Sequence, residues 1–205
     1  QRQMCIRDSR FTETIKKVNK LIKQFAPENK KKEWQVSVQD GTVAFGSAYH
    51  NWGITVPYMA KSGISFKEIF EYCNNEDQKT LAQKAPVHEV LLDMAVTKLP
   101  GPIDAQKYRI PNIWTGDLES DIGQAMINCD PEAELAMMVT KIWMDPHAGE
   151  VAVGRVYSGA INQGESVYAI GAAKPERVQQ VAMMVGGDRI TVPKVVAGNI
   201  AAVTL

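Results

Sequence analysis

The chain changes its hydrophobic period partway along, and this change constrains the fold more than any other feature of the sequence. Before residue 100, apolar residues recur every three or four positions; after about residue 136, they come in short runs separated by glycines. The first pattern predicts amphipathic helices and the second predicts short strands. Pro100-Gly101-Pro102 lies between the two regions and would stop a helix, so we place a domain boundary there, between residues 10–103 and 104–205.

Three helices are predicted in the first region. Phe11, Ile15, Val18, Ile22 and Phe25 recur at helical spacing, and Pro27 ends this helix. Ser65 and Glu68 form a capping box for a helix that reaches about Cys73. The third helix runs from Val87 to Leu99, and its predicted buried stripe comprises Val87, Val90, Leu91, Met94 and Ala95.

The remaining residues of the first region include a turn, a strand and an unusual leader. Asp40-Gly41 is a turn signal, and Val43-Ala44-Phe45 follows it as a short apolar strand. The first nine residues, QRQMCIRDS, show no apolar period. We therefore interpret residues 1–9 as a non-native leader without fixed structure, and the helix is expected to begin at Arg10.

The second region is predicted to form an antiparallel barrel or sandwich, because its strands are short and separated by turn signals. Residues 104–134 show no strong period and are interpreted as a connection. The predicted strands are Ala136–Met144, Glu150–Tyr157, Ser166–Ile170, Arg177–Val185, Arg189–Val192 and Asn199–Val203.

Composition excludes several function classes. Basic and acidic residues are equal in number, 23 each, so the whole-chain charge gives no argument for nucleic-acid binding. No apolar run could span a bilayer, and the widely spaced Cys5, Cys73 and Cys129 favour free cytosolic thiols. The histidines, at positions 50, 88 and 147, are isolated from one another. We therefore predict no catalytic residue, no metal site, no membrane or DNA partner and a cytoplasmic location.

One short element could contact a ligand. Gly46-Ser47-Ala48 directly follows the apolar strand, and small residues at the carboxyl end of a strand let a nucleotide approach the backbone. By itself this tripeptide is better explained as a tight turn.

The surrounding sequence favours the interpretation of this tripeptide as a nucleotide contact. The stretch TVAFGSAYHNWGITVPYM resembles the last guanine-recognition motif of the translational GTPases. The resemblance implies that the backbone of Ser47 and Ala48 contacts the guanine O6, that Gly46 sets the turn, and that Tyr49 packs near the base.

The resemblance continues to the end of the chain. APVHEVLLDMAVTKLPGPIDAQKYRIPNIWTGD is similar to the family's passage from GTPase domain into second domain, and GRVYSG followed by QGE resembles the signature of its barrel. The hairpin DPHAGE favours the archaeal members. The implied fold is the C-terminal remnant of an α/β GTPase domain followed by an incomplete, all-β translation-factor barrel, truncated at its C-terminus.

The resemblance also implies a function for the parent protein: a ribosomal translocase that uses GTP, with Mg²⁺, to move tRNA and mRNA. The chain itself contains neither a phosphate-binding loop nor Asn-Lys-x-Asp, so we expect it to bind no cofactor alone. The expected partner is the ribosome, with small-subunit rRNA contacted through the barrel. Four barrel cations could supply the phosphate contacts, although scattered surface charge explains them better: Arg155, Lys174, Arg177 and Arg189.

Two alternatives stay open. The chain could be a non-catalytic ribosome-binding module, or it could come from another translation GTPase that delivers tRNA or acts in initiation. The stretch from Ala85 to Asp117 argues against the second of these, because it resembles the translocase passage.

Overall fold

The chain forms two compact units, residues 1–99 and 100–205, in a computed structural model. The structure describes residues 2–146, 148–186 and 188–205, with side chains from Arg10 onward. His147 and Gly187 therefore lie outside the described residues, as does the side chain of Cys5. The division between the units lies four residues before the predicted boundary.

The first unit contains five helices and one hairpin in its described part. The helices are α1 (Arg2–Phe25), α2 (Val56–Ser62), α3 (Phe66–Asn74), α4 (Gln78–Lys84) and α5 (Val87–Lys98). The strands β1 (Phe45–Ser47) and β2 (Trp52–Ile54) pair antiparallel, and no other pairing joins strands of this unit among the described residues. The small core beneath the hairpin consists of Ile54, Ile64, Ile69, Leu81 and Ala85.

Helix α1 begins at Arg2, so the prediction that regular structure starts at Arg10 was wrong. Once a helix is nucleated, each further residue adds one hydrogen bond, and arginine, glutamine and methionine all propagate helices well. Of the five apolar residues at helical spacing, Ile15 and Ile22 are half-buried on one face, whereas Phe11, Val18 and Phe25 are exposed. Helix α1 ends at Phe25, two residues before Pro27, as predicted.

Local capping fixes the start of three short helices. Ser65 accepts from the amide of Glu68 while the Glu68 carboxylate accepts from the amide of Ser65, which confirms the predicted capping box of α3. Thr55 caps α2 and Asp77 caps α4 in the same manner. Side-chain oxygens at these positions satisfy amides that have no partner within the helix.

The second unit begins with two helices that the sequence pattern did not predict. They are α6 (Pro102–Ile113) and α7 (Asp121–Asn128), within the segment interpreted as an irregular connection. Gln106 of α6 is 1% exposed and its Nε2 donates to the carbonyls of Met126 and Tyr157. This one amide ties α6 to α7 and to the strands.

The strands of the second unit form one five-stranded sheet and two ribbons. The sheet order is β3-β4-β11-β8-β9, and the ribbons are β5-β10 and β6-β7, all antiparallel. The strands are β3 (Ala136–Asp145), β4 (Gly149–Ser158), β5 (Ala160–Asn162), β6 (Ser166–Ala169), β7 (Lys174–Arg177), β8 (Gln180–Val185), β9 (Asp188–Thr191), β10 (Lys194–Val196) and β11 (Ile200–Thr204).

The core of this unit joins the sheet to one of the ribbons. Seven buried residues from the sheet, the β5-β10 ribbon and the segment before β8 pack together: Val156, Ile161, Val178, Val181, Val195, Ala201 and Val203. Arg189 of β9 also forms an ion pair with Asp145 of β3, at 3.7 Å, although these strands are the two outer strands of the sheet. The sheet therefore coils strongly, as a barrel-like domain requires.

The predicted strands were largely confirmed, with one exception. The strand predicted from Arg177 to Val185 begins only at Gln180, as β8; Arg177 is the last residue of β7, and Val178 and Gln179 lie between the two strands. The first unit shows only an antiparallel hairpin among its described residues, rather than a parallel sheet. Its assignment as a GTPase-domain remnant stays a prediction.

Candidate nucleotide-contact hairpin

The four predicted site residues lie together on the β1-β2 hairpin. Gly46 and Ser47 belong to β1, while Ala48 and Tyr49 begin the turn that leads to Trp52. Gly46 pairs with Gly53 inside the ladder, so the prediction that Gly46 sets the turn was wrong. The left-handed residue of this turn is Asn51, with φ of 58°. Asparagine tolerates this conformation better than most residues, which relieves the need for glycine.

Gly46 instead permits a close approach of the two strands. A Cβ atom at this position would lie 2.5 Å from the carbonyl oxygen of Trp52 and 2.9 Å from the Cα of Gly53. Both contacts are to backbone, which cannot move aside cheaply. The glycine is therefore required by the packing of the hairpin itself.

The tip of the hairpin presents amides and an aromatic ring. The Ser47 hydroxyl accepts from the amide of His50 at 3.3 Å, and the Ala48 carbonyl accepts from the amide of Asn51 at 3.2 Å. Within the described part of the chain, the amides of Ala48 and Tyr49 have no recorded acceptor. The Tyr49 ring is 89% exposed and stands edge-on to the His50 ring, with centroids 4.8 Å apart.

The hairpin is anchored from behind, which fixes the position of its tip. The amide of Gly53 donates to the carbonyl of Ala85 at 3.0 Å, and the amide of Val87 donates to the carbonyl of Asn51 at 3.0 Å. Trp52 Nε1 donates to the Gln78 side chain at 3.0 Å. Sequence reasoning missed these supports because they join residues about 26 to 36 positions apart and carry no local pattern.

The four barrel cations do not share one environment. Arg155 donates to the carbonyl of Gly198 at 3.0 Å, Lys174 pairs with Glu176 at 2.6 Å, and Arg189 pairs with Asp145. Arg177 is exposed and has no recorded partner among the described residues. Three of these side chains are thus already engaged within the unit.

Other site chemistries find no support in the described residues. No group of three or more histidine, cysteine, aspartate or glutamate residues could hold a metal ion there. None of the described helices is long and apolar enough to cross a membrane. Cys73 and Cys129 are free thiols, and burial raises the pKa of Cys129, which favours its protonated, unreactive form.

Comparison with known proteins agrees with the resemblance. Residues 134–204 match the family model of elongation factor G domain 2. The chain is 56% identical over 196 residues to elongation factor 2 of Thermococcus onnurineus, and this alignment covers 96% of the chain and 27% of the relative. Elongation factor 2 of Methanopyrus kandleri is 58% identical over 196 residues, covering 96% of the chain and 16% of the relative.

A solved structure of bacterial selenocysteine-specific elongation factor EF-Sec aligns with 37% of this chain and 12% of its own, at a TM-score of 0.33 and 24% identity, which is too remote to support an argument. The chain spans 27% of the length of the first of these relatives. The predicted resemblance to the translational GTPases is nevertheless confirmed, because the alignment with elongation factor 2 covers 96% of the chain. The chain is similar over nearly its whole length to a segment of archaeal elongation factor 2, and its residues 134–204 match the family model of elongation factor G domain 2.

Proposed function

We propose that this chain acts as part of a ribosomal translocase that hydrolyses GTP to move tRNA and mRNA during elongation, in the cytoplasm. The observation that carries the proposal is the identity of 56% to elongation factor 2 across both structural units. A shared barrel domain alone would have left a tRNA-delivery or initiation factor open. The match through the first unit and residues 85–117 favours the translocase.

Within that protein, the β1-β2 hairpin would contact the guanine base. The exposed amides at Ala48 and Tyr49 are suited to donate to an oxygen such as guanine O6, and Ser47 adjoins them on the strand. Tyr49 offers an accessible ring beside the base. The anchoring bonds, in which Gly53 donates to Ala85 and Asn51 accepts from Val87, hold these amides in place before the nucleotide arrives, which lowers the entropic cost of binding.

The chain by itself would not hold GTP. Micromolar to nanomolar binding corresponds to roughly 8–12 kcal/mol. In a GTPase, much of this comes from charge-assisted bonds to the phosphates, worth about 1.5–3 kcal/mol each, and from Mg²⁺. The hairpin offers one or two amide bonds at about 1 kcal/mol each, which is too little to offset the lost freedom of a bound nucleotide. Isothermal titration of the chain with GTP and Mg²⁺ should show no binding, and a micromolar dissociation constant would contradict this expectation.

A chimera tests the proposed function directly. Residues 10–205 would replace the matching segment of elongation factor 2 from Thermococcus onnurineus, and ribosome-dependent GTP hydrolysis and polyphenylalanine synthesis would be measured. We expect the chimera to retain both activities. A folded chimera that binds ribosomes yet supports neither activity would overturn the proposal.

The same chimera tests the hairpin. Ala48→Pro removes one amide donor and should weaken GTP binding about tenfold, the equivalent of about 1.4 kcal/mol. The matched control is Ala48→Ser, which changes the same exposed side chain but keeps the amide, and it should leave GTP affinity nearly unchanged. Unchanged GTP affinity in the Ala48→Pro chimera would mean that the Ala48 amide does not contact the base.

The barrel could also contact small-subunit rRNA, as a ribosome-binding module would. Arg177 is the strongest candidate, because the other three predicted cations have partners within the unit. In the chimera, Arg177→Gln should weaken ribosome affinity more than Lys174→Gln does. Equal effects would argue against a specific contact at Arg177.

A further inference from the structure

Positive charge is concentrated at the start of a chain that is neutral overall. Residues 10–34 carry eight basic and three acidic side chains, a net charge of +5, whereas the formal charge of the whole chain is zero. This segment comprises most of α1 and the turns that follow it.

All three acidic residues of the segment are already paired with lysines. Glu13 pairs with Lys17 at 2.8 Å, Glu33 pairs with Lys30 at 2.7 Å, and Glu28 pairs with Lys31. No ion pair within the described side chains involves the remaining cations, which are Arg10, Lys16, Lys20, Lys23 and Lys32. The excess charge is therefore not neutralised within this part of the protein.

Three of these cations form a line along α1. Lys16, Lys20 and Lys23 are spaced by four and then three residues, so they occupy about 60° of the helix circumference and span about 10 Å along its axis. All three are exposed. We call these three residues the lysine stripe. It lies to one side of the half-buried face formed by Ile15 and Ile22.

The surroundings of the lysine stripe favour a phosphate backbone over a protein surface. Its neighbours along the same side of α1 are the polar Thr12 and Gln24 and the already paired Glu13, whereas the aromatic residues of the helix, Phe11 and Phe25, project from another side. Protein interfaces centre on apolar or aromatic residues and are depleted in lysine. Binding of single strands relies on aromatic stacking, which the stripe lacks.

We propose that the lysine stripe docks on the phosphate backbone of double-stranded RNA. Each lysine would neutralise one phosphate and release its condensed counterion, which makes binding salt-dependent and independent of base sequence. This inference deepens the proposed function, since it assigns a second RNA-facing surface to a factor proposed to act on the ribosome, but it does not depend on the nucleotide contact at the hairpin.

The test measures binding of the full chain to a labelled duplex of about 20 base pairs of RNA by fluorescence anisotropy, between about 50 and 200 mM KCl. In the variant Lys16→Gln/Lys20→Gln/Lys23→Gln, we expect affinity at the lower salt concentration to fall at least about tenfold. The slope of log affinity against log salt should become less steep by about 2 to 3, because each lost phosphate contact removes about 0.9. Glutamine propagates helices nearly as well as lysine, and circular dichroism would verify that α1 is intact.

The matched control removes the same charge from the same unit. Lys61→Gln/Lys67→Gln/Lys79→Gln changes three exposed lysines on α2, α3 and α4 and should leave both affinity and slope nearly unchanged. Equal weakening in the two triple variants would overturn the proposal, as would absence of duplex binding by the unmodified chain at the lower salt concentration. Equally tight, stripe-dependent binding of poly-L-glutamate would identify an acidic polypeptide as the partner instead.

These results are separable from those of the chimera. An inactive chimera together with stripe-dependent duplex binding would remove the translocase assignment and leave the RNA surface standing. An active chimera whose duplex binding does not depend on the lysine stripe would support the translocase assignment and overturn the RNA surface.

Discussion

Gln106 offers the sharpest test of how the second unit is held together. Its Nε2 donates to the Tyr157 carbonyl at 2.9 Å and to the Met126 carbonyl, so the variant Gln106→Leu removes both bonds while keeping a side chain of similar size. The Oε1 atom of this residue is buried without a partner, so its removal also relieves a cost.

The magnitude follows from these contacts. Each buried carbonyl that loses its donor costs about 1–3 kcal/mol. The Met126 carbonyl also accepts from the amide of Cys129 at 3.3 Å, so it keeps one partner and contributes less to the loss of stability. Removal of the buried, unsatisfied Oε1 stabilises the variant by on the order of 1 kcal/mol. We expect Gln106→Leu to destabilise the second unit by a net value of about 2–3 kcal/mol.

Urea unfolding of the chain, followed by the fluorescence of Trp114 and Trp143 in a background where Trp34 and Trp52 are phenylalanine, measures this effect. With a denaturant slope of about 2 kcal/mol per molar, the midpoint should fall by about 1–1.5 M. The control is Gln163→Leu, which removes an exposed amide bond to the Gln179 carbonyl and should shift the midpoint by less than about 0.3 M. An unchanged midpoint for Gln106→Leu would refute the view that this amide links α6 to the strands.

Three further outcomes are expected. Gly46→Ala places a Cβ against backbone and should destabilise the first unit by about 1–3 kcal/mol in thermal unfolding. The control Gly171→Ala has open space around it and should leave stability unchanged. Equal effects of the two variants would contradict the close approach of β1 and β2 at Gly46. Ser65→Ala removes the cap of α3 and should cost about 1 kcal/mol at about pH 7. The amide and hydroxyl of Ser65 lower the pKa of Glu68 below its ordinary 4.5, so their bonds to its carboxylate stabilise the chain above that pH and are lost as pH falls through the lowered value. The variant lacks the hydroxyl bond, so the difference in stability between variant and unmodified chain should narrow over this range; a constant difference would count against that bond. Finally, β3 is an outer strand whose Ile142 is 63% exposed, so light scattering should show self-association of the chain. Ile142→Lys should reduce this self-association, and a monomeric unmodified chain would contradict association through the edge of β3.

Sequence reasoning succeeded where the signal was local. The capping box of α3 and the proline after α1 each act within a few residues, and both ends formed where expected. The limits of α5 were also predicted to within one residue. Its buried stripe was predicted in part: Val90 is buried and Val87, Met94 and Ala95 are half-buried, but Leu91 is 53% exposed. Which side of a helix is covered depends on neighbouring elements, and a single helical period cannot determine it.

The features that the sequence did not predict depend on residues far apart in the chain. Helix α6 is stabilised partly by a buried polar residue, Gln106, and it contains Pro111, so its apolar period is weak. Strands β5 and β10 have three residues each and pair across more than 30 positions. At the hairpin, the four predicted site residues are consecutive in the chain, but the role of Gly46 depends on the opposite strand, which a tripeptide pattern does not reveal.

The position of β11 has a consequence for the order in which the second unit can assemble during synthesis. β11 follows both neighbouring hairpins in sequence, yet it lies between β4 and β8, and Ala201, Ala202 and Val203 are almost fully buried there. The β3-β4 and β8-β9 hairpins can form as soon as each leaves the exit tunnel. Until β11 emerges, however, each presents an unpaired edge to the crowded surroundings of a translating ribosome. From the completion of β9 until β11 emerges, the nascent chain therefore exposes two unpaired strand edges, which can associate with other chains.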